Sequence, residues 1–162
     1  MTKFNIACYV KLAKLWQKRK DKIPDYYMNL FGKKFSSYAN FKLTDVYIDI
    51  TGENKTYKRP EMIRLLFDIK RQEVNCIYTQ TQAYLAANSQ EFFYLIKYLY
   101  EINENLNIVT DDEEYNINTF INDDFQKEEL LNLSNYYVKL KQNDYIIWKN
   151  KVEENFSGIA KI

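Results

Sequence analysis

The sequence predicts an α/β domain with three layers: a mainly parallel sheet of four or five strands, helices on both faces, and a long C-terminal helix. Short apolar runs alternate with segments whose apolar residues recur at helical spacing. Strands that alternate with helices in this way form parallel sheets. The stretch 124–152 contains neither Gly nor Pro, which favours one uninterrupted helix. A chain of 162 residues fits a single domain over 1–162, with its core within about 4–120.

Four short apolar segments are the predicted strands. Residues 4–12, FNIACYVKL, form a continuous apolar run suited to a strand buried on both faces. The runs at 45–50, 75–80 and 106–112 are the second, third and fourth strands.

The segments between these strands are predicted helices. Pro24 and Pro60 each stand where a first helical turn begins, a position that tolerates proline. The helix from Pro60 and the helix over 91–103 both carry apolar residues at i, i+3, i+4 and i+7, which is a core-facing stripe. The polar segment 16–25 is predicted to be a loop.

The predicted helix over 124–152 has two apolar faces. One buried stripe is enough for a helix of a lone domain, so a second apolar face predicts contact with a partner. The residues expected at a dimer interface are Leu131, Tyr137, Val138 and Tyr145. The alternative, that both faces fit the core of the same chain, stays open.

Composition excludes several classes of function. The 23 basic and 22 acidic residues nearly cancel, so the chain as a whole is not a strongly basic nucleic-acid binder. The absence of His removes the commonest general base and the commonest metal ligand. Cys8 and Cys76 are flanked by apolar residues and are predicted to be buried structural thiols. We therefore expect no metal site and no cofactor.

The N-terminal segment predicts no membrane partner. Its apolar run is too short for a membrane span, and the charged residues that follow it do not suit a signal peptide. A soluble, cytoplasmic protein is expected. The acidic run 111–114 is predicted to be a solvated turn and not a cation site.

The order of these elements resembles the catalytic domain of serine recombinases, the resolvase/invertase and large serine integrase family. The strongest stretch is DVYIDITGENKTYKRPEMIRLLFDIKRQEVNCIYTQ, residues 45–80, in which Asp49 and the pair Arg59-Pro60 fall at the family spacing. YNINT, at 115–119, stands where the family often has Ile-Asp-Thr before its long helix. The resemblance covers roughly residues 4–150 and implies a resolvase-like fold.

The resemblance also implies which residues stand at the catalytic positions. In the family, a serine in a Tyr-x-Arg-x-Ser pattern attacks a DNA phosphate and forms a covalent phosphoserine bond, helped by a cluster of arginines. Here Tyr9 is kept, Lys11 stands at the arginine position and Ala13 at the serine position. Gln17 falls at the spacing of a family glutamine, and Arg59 is kept.

The remaining catalytic positions are also changed. Glu53 aligns with a loop serine of the family, and Ala83 replaces an acid after the third strand. Tyr84 and Ala87 replace two arginines. Because Ala13 has no oxygen that could form a phosphoester, the family's covalent route is closed. Ser36 or Ser37 could rescue it only if the fold brought one of them into line.

These observations predict a pseudoenzyme: an inactive serine-recombinase-like protein that acts by association in a DNA recombination or integration context, such as a mobile element or phage. Its expected partner is a second copy of itself or an active recombinase. No DNA-binding tail and no small-molecule substrate are identified.

Two alternatives stay open. The first is weak, non-specific binding of double-stranded DNA, with phosphate contacts from Lys11, Lys55, Lys58 and Arg59. The second is a new enzyme on the same scaffold, with proton transfer by an acid beside phenols. The residues that would carry it are Tyr9, Asp49, Glu53 and Tyr84.

Overall fold

A computed structural model of the chain describes residues 3–111 and 124–160. Its centre is a four-stranded sheet in which every neighbouring pair is parallel. The strands are β1 (Phe4–Leu12), β2 (Phe41–Ile50), β3 (Cys76–Thr79) and β4 (Asn107–Thr110). They lie in the order β2-β1-β3-β4, so β1 is an inner strand and its end is flanked by β2 and β3. The predicted parallel α/β fold is confirmed.

Seven α-helices surround this sheet in the part of the chain that the structure describes. They are α1 (Ile23–Phe35), α2 (Pro60–Lys70), α3 (Gln82–Leu85), α4 (Ser89–Ile102), α5 (Asp124–Leu140), α6 (Gln142–Glu154) and α7 (Phe156–Ala160). Short 3-10 helices at Lys14–Arg19 and Thr56–Lys58 precede α1 and α2.

Alternation along β1 divides the core between the two faces of the sheet. Successive side chains of a strand point to opposite faces. Ala7 and Tyr9 join the larger core, which holds α2, α4 and the C-terminal helices. Ile6, Cys8 and Val10 join the smaller core beneath α1. Helices therefore cover both faces, as predicted.

Two element boundaries differ from the sequence prediction. β2 begins at Phe41 and not at residue 45, because Phe4 of β1 pairs with Phe41 and the register shifts by one bulge before Ala7. The predicted loop 16–25 contains most of the 3-10 helix Lys14–Arg19 and the first turn of α1.

The prediction of one helix over 124–152 is wrong, because the helix is broken at Lys141. That residue has φ −132° and ψ 40°, outside the helical region, and separates α5 from α6. The break lets both helices turn apolar residues toward α4. Tyr145 and Trp148 of α6 stack on each other, with 5.9 Å between ring centroids, and both lie edge-on to Tyr94 of α4.

The expected interface residues lie in the core of their own chain. Val138 and Tyr145 are only 5% and 4% exposed and belong to the larger core, so these two side chains form no surface for a partner. Leu131 and Tyr137 are half-buried and pack against the same core. The heptad spacing therefore marks a face of α5 and α6 that packs on the core of the same chain.

The two thiols are free and buried, as predicted. Burial raises the pKa of Cys76 to about 12 and raises the pKa of Cys8 well above its ordinary value. Within residues 3–111 and 124–160, no cluster of acidic or thiol side chains is arranged to hold a metal ion. No helix in those ranges combines the length and apolarity needed to cross a bilayer.

Candidate functional site

The predicted catalytic positions converge where β1, β2 and β3 end. The Thr51 N–H at the end of β2 donates to the Leu12 carbonyl at the end of β1, over 2.9 Å. This contact brings the loop that follows β2 beside Ala13. Polar groups at the carboxyl edge of a parallel sheet share one crevice, which is where ligands of such folds bind.

A buried Tyr–Asp pair links β1, β2 and α2 at this edge of the sheet. The Tyr9 hydroxyl donates to Asp49 Oδ2 over 2.8 Å, and the Asp49 carboxylate accepts the backbone N–H groups of Glu61 and Met62 over 2.9 Å each. Burial, and then the charge of Asp49, raise the pKa of Tyr9. Asp49 is thus an anchor for the first turn of α2, a position where a carboxylate is stabilised by the helix dipole.

Arg59 is fully buried and is held by backbone carbonyls. Its Nε donates to the Glu53 carbonyl over 3.1 Å, and its Nη1 donates to the carbonyls of Tyr84 and Leu85 over 3.1 Å each. The guanidinium therefore joins the loop after β2 to α3. Its Nη2 has no hydrogen-bond partner among the described residues.

Lys11 lies close enough to this cluster to interact electrostatically with Arg59 and Asp49. Burial lowers the pKa of Lys11, the positive charge of Arg59 lowers it further, and Asp49 opposes both. The Lys11 ammonium forms no ion pair with any described residue. Lys11 is thus a partly exposed cation without an ion-pair partner, which suits an anion, whereas Arg59 Nη2 is buried.

Ala13 is exposed and is the N-cap of the 3-10 helix Lys14–Arg19, where its carbonyl accepts the Trp16 N–H.

Three threonine hydroxyls lie near the same edge of the sheet. Thr79 donates to the Tyr9 carbonyl over 2.8 Å in the buried interior. Thr51 accepts the Glu53 N–H over 3.1 Å, and Thr81 accepts the Ala83 N–H over 3.4 Å as the N-cap of α3.

Ser36 and Ser37 lie at the opposite edge of the sheet. They follow the end of α1, and the chain then enters β2 at Phe41, beside the start of β1. A helix of 13 residues spans about 20 Å, which separates these serines from the end of β1. Neither serine is in line to replace the missing hydroxyl.

The other predicted residues lie around the rim of the site. Exposed side chains are Gln17, Glu53, Lys58, Ala83 and Ala87, whereas Tyr84 is half-buried. Lys55 reaches the buried Glu91, with 3.9 Å between Nζ and Oε1. Of the acidic run, Asp111 is bound by Lys34 and by the Tyr78 hydroxyl, and residues 112–114 lie outside the described ranges. YNINT also lies outside them.

Sequence reasoning missed a buried carboxylate that ties the loop to the C-terminal helices. Glu91 is 1% exposed, and its Oε2 accepts from Trp148 Nε1 over 2.6 Å and from Thr56 Oγ1 over 3.3 Å. The available signal was Asn88 three residues before Glu91, the spacing of a helix N-cap and its third residue. That signal predicts the helix start but not the distant partners.

Comparison with known proteins shows the fold. No protein-family model and no curated protein matches the chain. Among solved structures, the N-terminal catalytic domain of TP901-1 integrase matches with a TM-score of 0.56 and 14% identity, covering 86% of this chain and 97% of that one. The C-terminal catalytic domain of ISC1926 TnpA, an IS607-like serine recombinase, matches with a TM-score of 0.51 and 13% identity, covering 94% and 99% respectively. With a parallel sheet of order β2-β1-β3-β4 and helices on both faces, the chain has the fold of a serine recombinase catalytic domain.

Proposed function

We propose that the chain is a relative of serine recombinases that does not cleave DNA and acts by association with a second copy of itself. Its role is regulatory or architectural, in a setting of site-specific recombination or mobile DNA. The observation that carries this proposal is the methyl group of Ala13 at the end of β1, where the resemblance expects the nucleophilic serine.

The surroundings of Ala13 support loss of the chemistry. Thr51, the hydroxyl nearest along the loop, is a secondary alcohol whose oxygen already accepts a hydrogen bond. No guanidinium is available from positions 84 and 87, and Arg59 is occupied by three backbone carbonyls. A single missing transition-state donor typically lowers a rate by about 100- to 1,000-fold. Several losses together leave no effective route to strand cleavage.

An exposed apolar stripe on α5 supports association. Leu133, Tyr136 and Leu140 are 52%, 65% and 68% exposed and recur at i, i+3 and i+7, so they lie along one side of the helix. This side differs from the one that buries Val138. A second copy bearing the same stripe offers a self-complementary apolar surface, which is how two-fold dimers bury such faces. The dimer we propose therefore uses these three residues.

Light scattering after gel filtration tests the association. The unchanged chain is expected to have twice the monomer mass, and Leu133→Asp is expected to have the monomer mass because it places a charge in the apolar stripe. Asn135→Asp is the matched control, since it adds the same carboxylate at an exposed position of α5 that has no stripe residue three or four positions away. A monomeric mass for the unchanged chain, or an unchanged dimer in Leu133→Asp, contradicts the proposal.

A second candidate function, weak binding of double-stranded DNA, is favoured by the charge of Lys11, which has no ion-pair partner among the described residues. Lys58, which is exposed, extends this positive edge. Binding through phosphates weakens steeply with added salt. A mobility-shift titration at two salt concentrations tests it, with Lys11→Gln expected to weaken binding and Lys42→Gln, at the opposite edge of the sheet, expected to leave it unchanged.

A further inference from the structure

A cleft lies between the 3-10 helix Lys14–Arg19 and the first turns of α1, beside the end of β1. Its volume is about 410 Å3, within the range of roughly 300–1,000 Å3 found for ligand pockets. Its walls combine aromatic rings with basic side chains. The lining residues used below are Trp16, Arg19, Lys22, Tyr26 and Tyr27.

Positive charge is concentrated along this cleft. Residues 14–22 hold five of the 23 basic residues of the chain and one of its 22 acidic residues. The rest of the chain therefore carries 18 basic and 21 acidic residues. None of the five basic side chains forms an ion pair with a described residue. The nearly neutral total thus conceals one strongly basic segment that faces solvent.

Exposed aromatic rings accompany this charge. Trp16 is 43% exposed and Tyr26 is 62% exposed, although residues of this size are normally buried. Tyr26 meets only the edge of Tyr27, with 5.0 Å between centroids, and the Trp16 indole has no ring contact within the described residues. Both rings retain a face on which a planar group can stack.

We propose that this cleft binds single-stranded nucleic acid, with an unpaired base stacked on Trp16 and phosphates held by Arg19 and Lys22. A basic groove with exposed aromatic side chains is the arrangement that binds single strands, because every base presents a π-face and every linkage a negative charge. Bases inside a duplex are already stacked on their neighbours, so the aromatic rings select unpaired strands.

The two tryptophans make the cleft directly observable. Trp16 is 43% exposed, whereas Trp148 is 4% exposed and hydrogen-bonded inside the core. Titration with an oligothymidylate is expected to quench the tryptophan fluorescence of the unchanged chain, excited at a wavelength that tyrosine does not absorb. In Trp16→Phe, which keeps a ring for stacking, binding of a labelled oligonucleotide persists but the quenching disappears. Quenching that remains in Trp16→Phe overturns the proposed site.

Fluorescence anisotropy with labelled oligonucleotides measures affinity. Trp16→Ala is expected to weaken binding of the single strand by roughly 5- to 150-fold, the range that corresponds to the loss of one stacking partner. Arg19→Glu is expected to weaken binding and to reduce its salt dependence, whereas Lys42→Glu makes the same charge change at the opposite edge of the sheet and leaves binding unchanged. Circular dichroism checks that each exposed substitution leaves the fold intact.

The same titrations contain the outcomes that overturn the proposal. Equal or tighter binding of a duplex of the same length removes the role of stacking and assigns the basic segment to duplex phosphates. Binding that responds to Arg19→Glu but not to Trp16→Ala does the same. No binding of any oligonucleotide at low salt removes nucleic acid as the occupant of the cleft.

Discussion

At the residue scale, the proposed loss of catalysis rests on a contrast between the positions at this edge of the sheet that match the resemblance and those that depart from it. Tyr9, Asp49 and Arg59 are the positions that match the resemblance, and all three are buried and bonded within the fold. Ala13, Tyr84 and Ala87 are the positions that depart from it, and none supplies a serine hydroxyl or a cation. The hydrogen bonds of Tyr9, Asp49 and Arg59 join elements of the fold, a role in stability that does not depend on catalysis. The proton-transfer alternative is weakened because Tyr9 and Asp49 are closed to solvent.

Asp49→Ala tests the scaffold role of the retained acid. The substitution removes the hydrogen-bond acceptor of the Tyr9 hydroxyl and of two N–H groups of α2. The free energy of unfolding is therefore expected to fall by about 2–4 kcal/mol. Urea denaturation measures it. Asp45→Ala, on the same strand, removes a partly exposed pair with Arg64 and a hydrogen bond from the adjacent Val46 N–H, and is expected to cost about 1 kcal/mol. Equal losses in the two variants contradict the anchoring role.

At the element scale, sequence patterning predicts the strands well and the C-terminal helices poorly. Apolar runs mark β1 and β3 because both are inner strands, buried on both faces. The heptad spacing of residues 131–152 identifies an apolar face correctly. It does not indicate whether that face packs on the same chain or on a partner. No Gly or Pro marks the break at Lys141 in the sequence. The break accompanies the tertiary packing of α5 and α6 on α4, which a local sequence pattern does not show.

The site shows the same division between local and distant information. The positions of Ala13 and Arg59 follow from spacing along the chain, but the partners of Arg59 lie 25 and 26 residues away at backbone carbonyls. Every residue has a backbone carbonyl, so the residue types at 84 and 85 do not reveal that these carbonyls accept from Arg59. The contact between Glu91 and Trp148 spans 57 residues and is equally invisible to a local pattern.

Substitutions on the two sides of α5 are expected to separate folding from association. Val138→Asp places an unpaired carboxylate in the core and is expected to lower the free energy of unfolding by about 3–5 kcal/mol. Leu133→Asp lies on the exposed stripe and is expected to change monomer stability by less than about 0.5 kcal/mol. Chemical denaturation at low protein concentration measures both. A stable, folded Val138→Asp contradicts the assignment of the two faces.

At the scale of the whole molecule, tyrosine is one of the main residues of the core. The chain has 15 tyrosines, and several are buried with their hydroxyls on carboxylates: Tyr47 on Asp68, Tyr98 on Glu153 and Tyr145 on Glu101. Burial is the largest cause that raises the pKa of these three phenols. The unfolded chain releases their protons near pH 10, whereas the folded chain retains them.

The fold is therefore expected to lose stability in alkali. Because the pKa of these phenols is raised by folding, their contribution is fully present below pH 10 and is lost as the pH rises above it, by about 1.4 kcal/mol per pH unit for each phenol. Urea denaturation from pH 8 to 11 measures the loss. Tyrosinate absorbance from the three buried rings is expected to rise only with unfolding. Ionisation of these three phenols near pH 10, with the fold retained, contradicts this.

The most direct measurement of the central claim, that this recombinase fold does not cut DNA, is a search for a covalent protein–DNA adduct. The chain at high concentration is incubated with labelled supercoiled DNA, denatured, and separated on a gel that retains protein-linked strands. We expect no linked strand and no nicked circle, for the unchanged chain and for Ala13→Ser alike, because positions 84 and 87 still lack arginine. A strand linked to any serine, threonine or tyrosine of the unchanged chain contradicts the account.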